Sequence, residues 1–399
     1  MENLTSSYWT ILFIIDFILF LATAITVLYF LVFSIASLIT KRFETPRAKK
    51  QNRFIVIVPS YKGDKSIEST VKSILAQGYP QRMFDVIVVS DHMDEMTNIR
   101  LAQYPITLLV PNFKYSTKAK SLQFAMANLP EFKVYDTVLI LDADNVIEND
   151  FLERVNDAYD TSGTQAIQLR RVSKNRDTAV ANLEAIFEEI NNSVFRQGHI
   201  NMGMSAALAG SGMVFSFSWF KDNVKKLKTA WEDKELEALL LQQHIYIDYF
   251  QDIFVFDEKQ RDVESFNNQR SRYATTQMYT FVRNVKNFFP ALFSKRYDYV
   301  DKILQWTLIP RTMLLAIIAF MSVILPFIYM TLAIKWWIAG AVIMFAFALA
   351  CPDYLVDEKF DKSFLKAPVI MLLSFLNIFR IGPGKNRYVN KNKNNNFYK

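Results

Sequence analysis

Residues 138–150 read VLILDADNVIEND, an apolar run dense enough in Val, Leu and Ile to be a buried strand, and it ends in two aspartates, Asp142 and Asp144. On an extended chain, positions i and i+2 project to the same side, so both carboxylates would enter one small volume just past the strand's carboxyl end. Two like charges held that close are costly unless a cation joins them. The same pair also suits a turn or a helix cap, where Asp and Asn are favoured. The surrounding sequence has to decide.

The runs FIVIVPS, FDVIVVSD, ITLLVP and TVLILDAD are short, continuous and rich in Val and Ile, and each closes on a turn signal or an acid. Helical patterns such as SIESTVKSILAQ and KAKSLQFAMANL alternate with them. That alternation predicts an α/β fold with a largely parallel sheet flanked by helices. Ligands bind such sheets beyond the carboxyl ends of the strands, and Asp91 and Asp142 both fall at that edge. No G-x-G-x-x-G follows the first strand and no P-loop pattern is present, which argues against a dinucleotide fold and an NTPase.

The 399-residue chain is 51% hydrophobic and 15% aromatic, with 34 Phe, more than one soluble domain needs. Part of it is predicted to lie in a membrane. Residues 8–40 are apolar apart from Asp16 and are closed by Lys41, Arg42, Arg47, Lys49 and Lys50, a stretch longer than the roughly 20 residues of a span. The basic cluster follows the apolar core, as in a retained anchor with the next domain cytoplasmic. Asp16 is expected at the outer interface. Residues 312–333 and 336–355 are long enough to span, with a tight outer hairpin around Lys335, Trp336 and Trp337. Residues 364–379 are predicted to form an interfacial or re-entrant helix, because a further span would carry the tail's Arg380, Lys385, Arg387, Lys391, Lys393 and Lys399 outside.

The resulting division is an anchor and basic flank over 1–50, an α/β domain over 51–273, interfacial helices over 274–311, a membrane hairpin over 312–355 and an interfacial helix with a basic tail over 356–399. The net charge of +7 is read as flanking a membrane and not as binding nucleic acid. A lone Cys351 excludes an intrachain disulfide, and His92, His199 and His244 lack zinc-ligand spacing.

Seven motifs, in order over residues 54–273, resemble glycosyltransferase family 2, specifically its membrane-embedded cellulose and hyaluronan synthase-like branch. VPSYKGD resembles the family's V-P-x-Y-N-E, VVSDHMDE its first acidic motif, STKAKSLQ its K-A-G-A-L-N segment and LDADN its D-x-D. AGSGMVFS resembles its acceptor loop, WEDKEL its T-E-D and QRSRY its Q-x-x-R-W. Each motif is short; their shared order gives the resemblance its specificity.

The resemblance implies a GT-A fold and a set of roles. Pro59, Tyr61 and Asp91 would hold the donor nucleoside, Asp91 by accepting hydrogen bonds from a uracil ring, and Lys118 would neutralise the diphosphate. Asp142 would also face the donor, and with Asp144 would bind a Mg2+ or Mn2+ that stabilises the departing nucleotide. Gly210 and Ser211 would shape the acceptor loop, Asp233 would be the general base, and Gln269, Arg272 and Tyr273 would hold acceptor or product. Trp231 stands where the family usually has Thr, and Tyr273 where it has Trp. From spacing alone, Lys118 also suits a solvated helix, Thr229 with Glu232 a capping box, and the aromatic and basic run after residue 273 an interfacial helix.

The expected activity is inverting sugar transfer from a nucleotide donor, a uridine diphosphate sugar, to a growing saccharide at the membrane. The alternative is single transfer to a lipid acceptor, as in ceramide glucosyltransferase-like relatives. The small number of spans favours that alternative unless the chain forms homo-oligomers. A third reading, an inactive membrane scaffold, conflicts with the joint presence of Asp91, Asp142, Asp144 and Asp233.

Overall fold

The structure is a computed structural model that describes residues 2–39, 45–130 and 132–357, with side chains from residue 10 onward. Lys41, Arg42, the helix expected over 364–379 and the basic tail lie outside the described residues.

Seven strands, β1 (Phe54–Tyr61), β2 (Phe84–Asp91), β3 (Thr107–Leu109), β4 (Thr137–Ile140), β5 (Ala166–Ser173), β6 (Met213–Ser216) and β7 (Ile247–Asp257), form one sheet in the order β3-β2-β1-β4-β6-β5-β7. β6 runs antiparallel to β4 and β5, and the other pairings between these strands are parallel. The apolar runs are continuous because both faces are covered. Phe54, Val56 and Val58 of β1 pack with Ile67, Val71 and Ile74 of the Ile67–Leu75 helix. Ile55 and Ile57 face the opposite layer, against Ala119, Leu122 and Ala125 of the Lys118–Ala127 helix. Each such side chain stabilises the fold by about 1.5–3 kcal/mol on burial. Register aligns Tyr61 with Asp91, so the ends of β1 and β2 form one edge with the turn after β4.

Among the described residues, three helices are long and apolar enough to cross a membrane: the N-terminal helix over Thr10–Ser37, Arg311–Ile328 and Met330–Ala350. The chain reverses between the last two at Tyr329, whose extended backbone (φ −156°) ends the Arg311–Ile328 helix shortly after Pro326. The corner is therefore not at Lys335–Trp337, as the aromatic belt suggested; those residues lie inside the Met330–Ala350 helix. Asp16 has partners within the protein. It is buried at 3% exposure, forms a short ion pair with Lys335 and accepts a 2.9 Å hydrogen bond from Trp336 Nε1. An unpaired acid at that point would cost several kcal/mol in lipid, so the lysine that looked like a loop residue serves as its counter-ion.

The N-terminal helix, Glu2–Ser37, packs beside the sheet domain: Val27, Phe30 and Phe33 share a core with Val180, Ile186, Ile190 and Val194. Phe30 packs edge-on against Phe195 and Phe347, with ring centroids 5.5 Å apart in each pair, and Asn201 Nδ2 donates to Ala36 O and Ile39 O near the helix's carboxyl end. At the crossing, a Cβ on Gly198 would stand 2.4 Å from the Phe33 carbonyl oxygen, so only glycine allows this approach.

Candidate active site

At the edge formed by β1 and β2, Asp91 is fully buried. Its Oδ1 lies 2.6 Å from His92 Nδ1, and its Oδ2 meets no hydrogen-bond donor among the described residues. A buried carboxylate oxygen left in that state is costly, unless a ligand supplies the N–H. His92 stands edge-on to Tyr61 at 5.7 Å. The turn carrying this pair is tight: Lys62 and His92 both have positive φ, and Lys62 N donates to Asp91 O at 3.1 Å. Pro59 lies within β1, paired with Val89. Sequence reading considered His92 only as a zinc ligand; its position directly after a strand-end acid was the available signal.

β4 ends at Ile140, and Asp142 and Asp144 sit in a turn, not on extended chain, with Asn145 N donating to Asp142 O at 3.1 Å. The alternation argument for the two acids is thus corrected. Asn145, fully buried, organises the turn: its Oδ1 accepts from Asp142 N at 2.8 Å and from Ser211 Oγ, and its Nδ2 donates to Asp144 Oδ1 at 3.3 Å. Asp144 is 8% exposed. Ser211 follows Gly210, whose φ of +78° requires glycine.

Lys118 opens its helix beside this turn, after Thr117, which caps it by accepting from Lys120 N at 3.2 Å. The lysine is buried, not solvated. Its Nζ donates to Asp142 Oδ1 at 2.5 Å and to Gly210 O at 2.6 Å, and lies 3.3 Å from Glu232 Oε1. Burial alone would lower its pKa; Asp142, Glu232 and Asp233 outweigh that and hold it above the ordinary lysine value.

Asp233 belongs to the Glu232–Gln242 helix, capped by Trp231 with no side-chain cap bond. The expected capping box is absent: Thr229 Oγ1 accepts from Trp231 N instead, and Glu232 turns inward to Lys118. Burial pushes the Glu232 carboxyl up to about 7, Lys118 opposing and Asp233 reinforcing. Burial and Glu237 likewise raise the Asp233 carboxyl, against the pull of Lys234. A carboxylate raised in this way is a stronger base than a free one. Glu237, fully buried, accepts from Leu208 N at 2.7 Å and so ties the helix to the segment that leads into Gly210 and Ser211.

Asp233 opens on a cavity of about 250 Å3 whose walls include Trp231, Gln269, Arg270, Tyr273 and Arg311. Gln269 and Tyr273 come from the Val263–Asn284 helix, which runs through position 273 without a break. Gln269 Oε1 is buried without a donor among the described residues. Trp231 lies 6.4 Å from Tyr273, and the Arg272 guanidinium stacks over Trp231 at 5.0 Å. Trp231, the departure from the family pattern, thus lines the cavity together with Tyr273. Phe30 and Thr312, from two of the candidate membrane-spanning helices, also line the cavity.

Among the described residues no cluster of three or more His, Cys, Asp or Glu could hold a metal. Two carboxylates in one turn suit a hard cation that draws its remaining ligands from phosphate and water.

The mostly parallel seven-stranded sheet with flanking helices is a GT-A-like fold. Residues 51–276 match the family model described as glycosyltransferase like family 2. The chain belongs to that family and is a glycosyltransferase. No curated protein sequence matches it. Among solved structures, a Pyrobaculum calidifontis mannosyltransferase in complex with GDP-Man and Mn2+ is similar at 17% identity and a TM-score of 0.52, over 90% of this chain and 99% of that one. S. aureus TarS 1–349 with UDP-GlcNAc gives 16% identity and a TM-score of 0.41, over 82% and 90%. At 17% identity the likeness to the mannosyltransferase bears on the fold alone.

Proposed function

We propose that the chain transfers a sugar, with inversion, from a nucleotide diphosphate donor to an acceptor hydroxyl that approaches Asp233 from the membrane side. The observation that carries this reading is the cavity joining Asp233 to Phe30 and Thr312. The acceptor oxygen attacks the anomeric carbon, Asp233 takes its proton, and the bond to the diphosphate breaks. The unpaired Asp91 Oδ2 suits a ring N–H of the nucleobase, with Tyr61 and His92 beside it and Pro59 keeping the strand end rigid. Uridine is the base we favour. Lys118 would leave Asp142 for the diphosphate. Asp142 and Asp144 would hold a Mg2+ or Mn2+, which when bound offsets charge on the leaving group; the Mn2+ in the mannosyltransferase complex supports that assignment.

A lipid-linked acceptor fits the cavity's membrane end and the three candidate spans among the described residues. Polymer elongation is the second reading, favoured by Trp231, Gln269 and Tyr273 on the cavity wall; it would require homo-oligomers to supply enough helices for a channel. Under either reading the protein is integral to the cell membrane with its catalytic domain cytoplasmic, in contact with lipid and not with nucleic acid. The test incubates purified protein in lipid bilayers with a panel of radiolabelled nucleotide sugars. One organic-soluble product is expected; a size ladder would establish elongation, and no turnover with any donor would overturn the proposal.

A further inference from the structure

The cavity contains positive charge that the reaction described above does not use. Arg270 and Arg311 stack on the ring of Phe187, their guanidinium carbons 5.2 and 5.0 Å from its centroid. Most of the other charges on the cavity wall are matched in pairs: Arg171 with Asp257, Lys259 with Asp257 and Glu188, Arg196 with Glu188. Arg270 is different. Its ion pair is a long one: Nη2 lies 4.0 Å from Glu184 Oε1, while the other oxygen of that carboxylate, Oε2, accepts from Gln260 N. Arg311 donates to the Phe187 carbonyl at 2.7 Å and has no carboxylate within ion-pair distance among the described residues. It also begins the Arg311–Ile328 helix, whose amino end adds positive potential. Two guanidiniums on one aromatic ring, partly withdrawn from water, call for an anion with several acceptor oxygens.

Apolar wall leads from these arginines to the membrane helices through Leu308, Ile309 and Phe30. Resting on the function proposed above, we propose that the acceptor is a lipid whose head carries both a phosphodiester, gripped by Arg270 and Arg311, and a hydroxyl presented to Asp233. A phosphate oxygen is already anionic and needs no base, so the presence of Asp233 assigns the attack to the hydroxyl. That oxygen bonds to the anomeric carbon, its proton passes to Asp233, and the nucleoside diphosphate departs with the electrons of the broken bond. The lipid phosphate stays intact.

Phosphatidylglycerol has both groups, diacylglycerol has the hydroxyl alone, and glycerol 3-phosphate is the soluble counterpart. In phosphatidylcholine nanodiscs, brominated-chain phosphatidylglycerol is expected to quench protein tryptophan fluorescence, Trp231 and Trp306 lining the cavity, at about tenfold lower mole fraction than brominated diacylglycerol. Arg270→Gln and Arg311→Gln should each remove about a factor of ten, the scale of one charge-assisted hydrogen bond. Arg270→Lys and Arg311→Lys should restore part of it, which separates lost charge from lost folding. Equal quenching by the two lipids, or Gln variants that bind like the native protein, would overturn the proposal. Competition by glycerol 3-phosphate as effective as by the lipid would overturn its lipid source. Nucleotide-sugar binding is read separately in the same samples, so its loss counts against the catalytic reading and not against the lipid site.

Discussion

The ammonium of Lys118 donates a 2.5 Å hydrogen bond to Asp142, and so the residue assigned to the diphosphate already neutralises one of the two acids assigned to the cation. Donor binding would exchange partners around a lysine that stays charged throughout. Lys118→Met should therefore act twice. Donor affinity should fall by about tenfold or more, and the donor-free protein should lose on the order of 3 kcal/mol, the scale of an uncompensated buried charge. Adding Glu232→Gln should recover part of the stability and none of the affinity, as followed by thermal unfolding and nucleotide titration.

The Glu232 carboxyl makes a prediction in pH. Its folded value of about 7 exceeds the ordinary 4.5, so the folded chain retains a proton that the unfolded chain releases between those values. Stability should fall as pH rises from about 4.5 to about 7 and then level off. Glu232→Gln should flatten that slope, gaining on the native protein by on the order of 1–3 kcal/mol across the window. An unchanged slope in the variant's denaturation series would assign the effect to other groups.

Asp233→Asn should lower turnover by the order of 10² or more, the usual loss for a general base, with donor affinity nearly unchanged. Because its carboxyl is raised, native turnover should climb with pH as Asp233 loses its proton and then reach a plateau. Near-normal turnover in a folded Asp233→Asn protein would send the search for the base elsewhere.

Excess chelator should abolish transfer, and Asp144→Asn should weaken metal-dependent donor binding while leaving the unfolding midpoint close to native, since the amide keeps the shape and loses the charge. Full turnover in chelator would remove the cation from the reaction.

Topology can be read by thiol labelling in intact cells after Cys351 is replaced. A cysteine at Lys65 should resist a membrane-impermeant reagent, and one at Tyr329, on the hairpin corner, should react. The reverse pattern would invert the chain in the membrane.

Regular elements were legible in the sequence because the apolar runs of β1, β2 and β4 are buried on both faces, and burial of that kind writes itself as continuous Val and Ile. The order of the motifs likewise pointed to the family whose model matches residues 51–276. What spacing could not convey was partnership across the chain. Glu232 fits a cap by position, yet it bonds to a lysine 114 positions earlier. Asp16 and Lys335 read as separate interfacial charges until helix packing joined them. Arg270 was hidden inside a motif quoted for its neighbours, and Arg311 carried no motif at all.

The seat of the anchor helix on Gly198 sets a length scale. With the Phe33 carbonyl packed where a side chain would otherwise stand, the N-terminal helix meets the domain backbone to backbone, which restricts rocking at that crossing. On the lipid-acceptor reading proposed above, such a crossing would act as a ruler: a hydroxyl held too near the acyl chains would stop short of Asp233, and one on a longer stalk would overshoot it. Each transfer would lengthen the stalk by one sugar, and the ruler would then favour a single step over elongation.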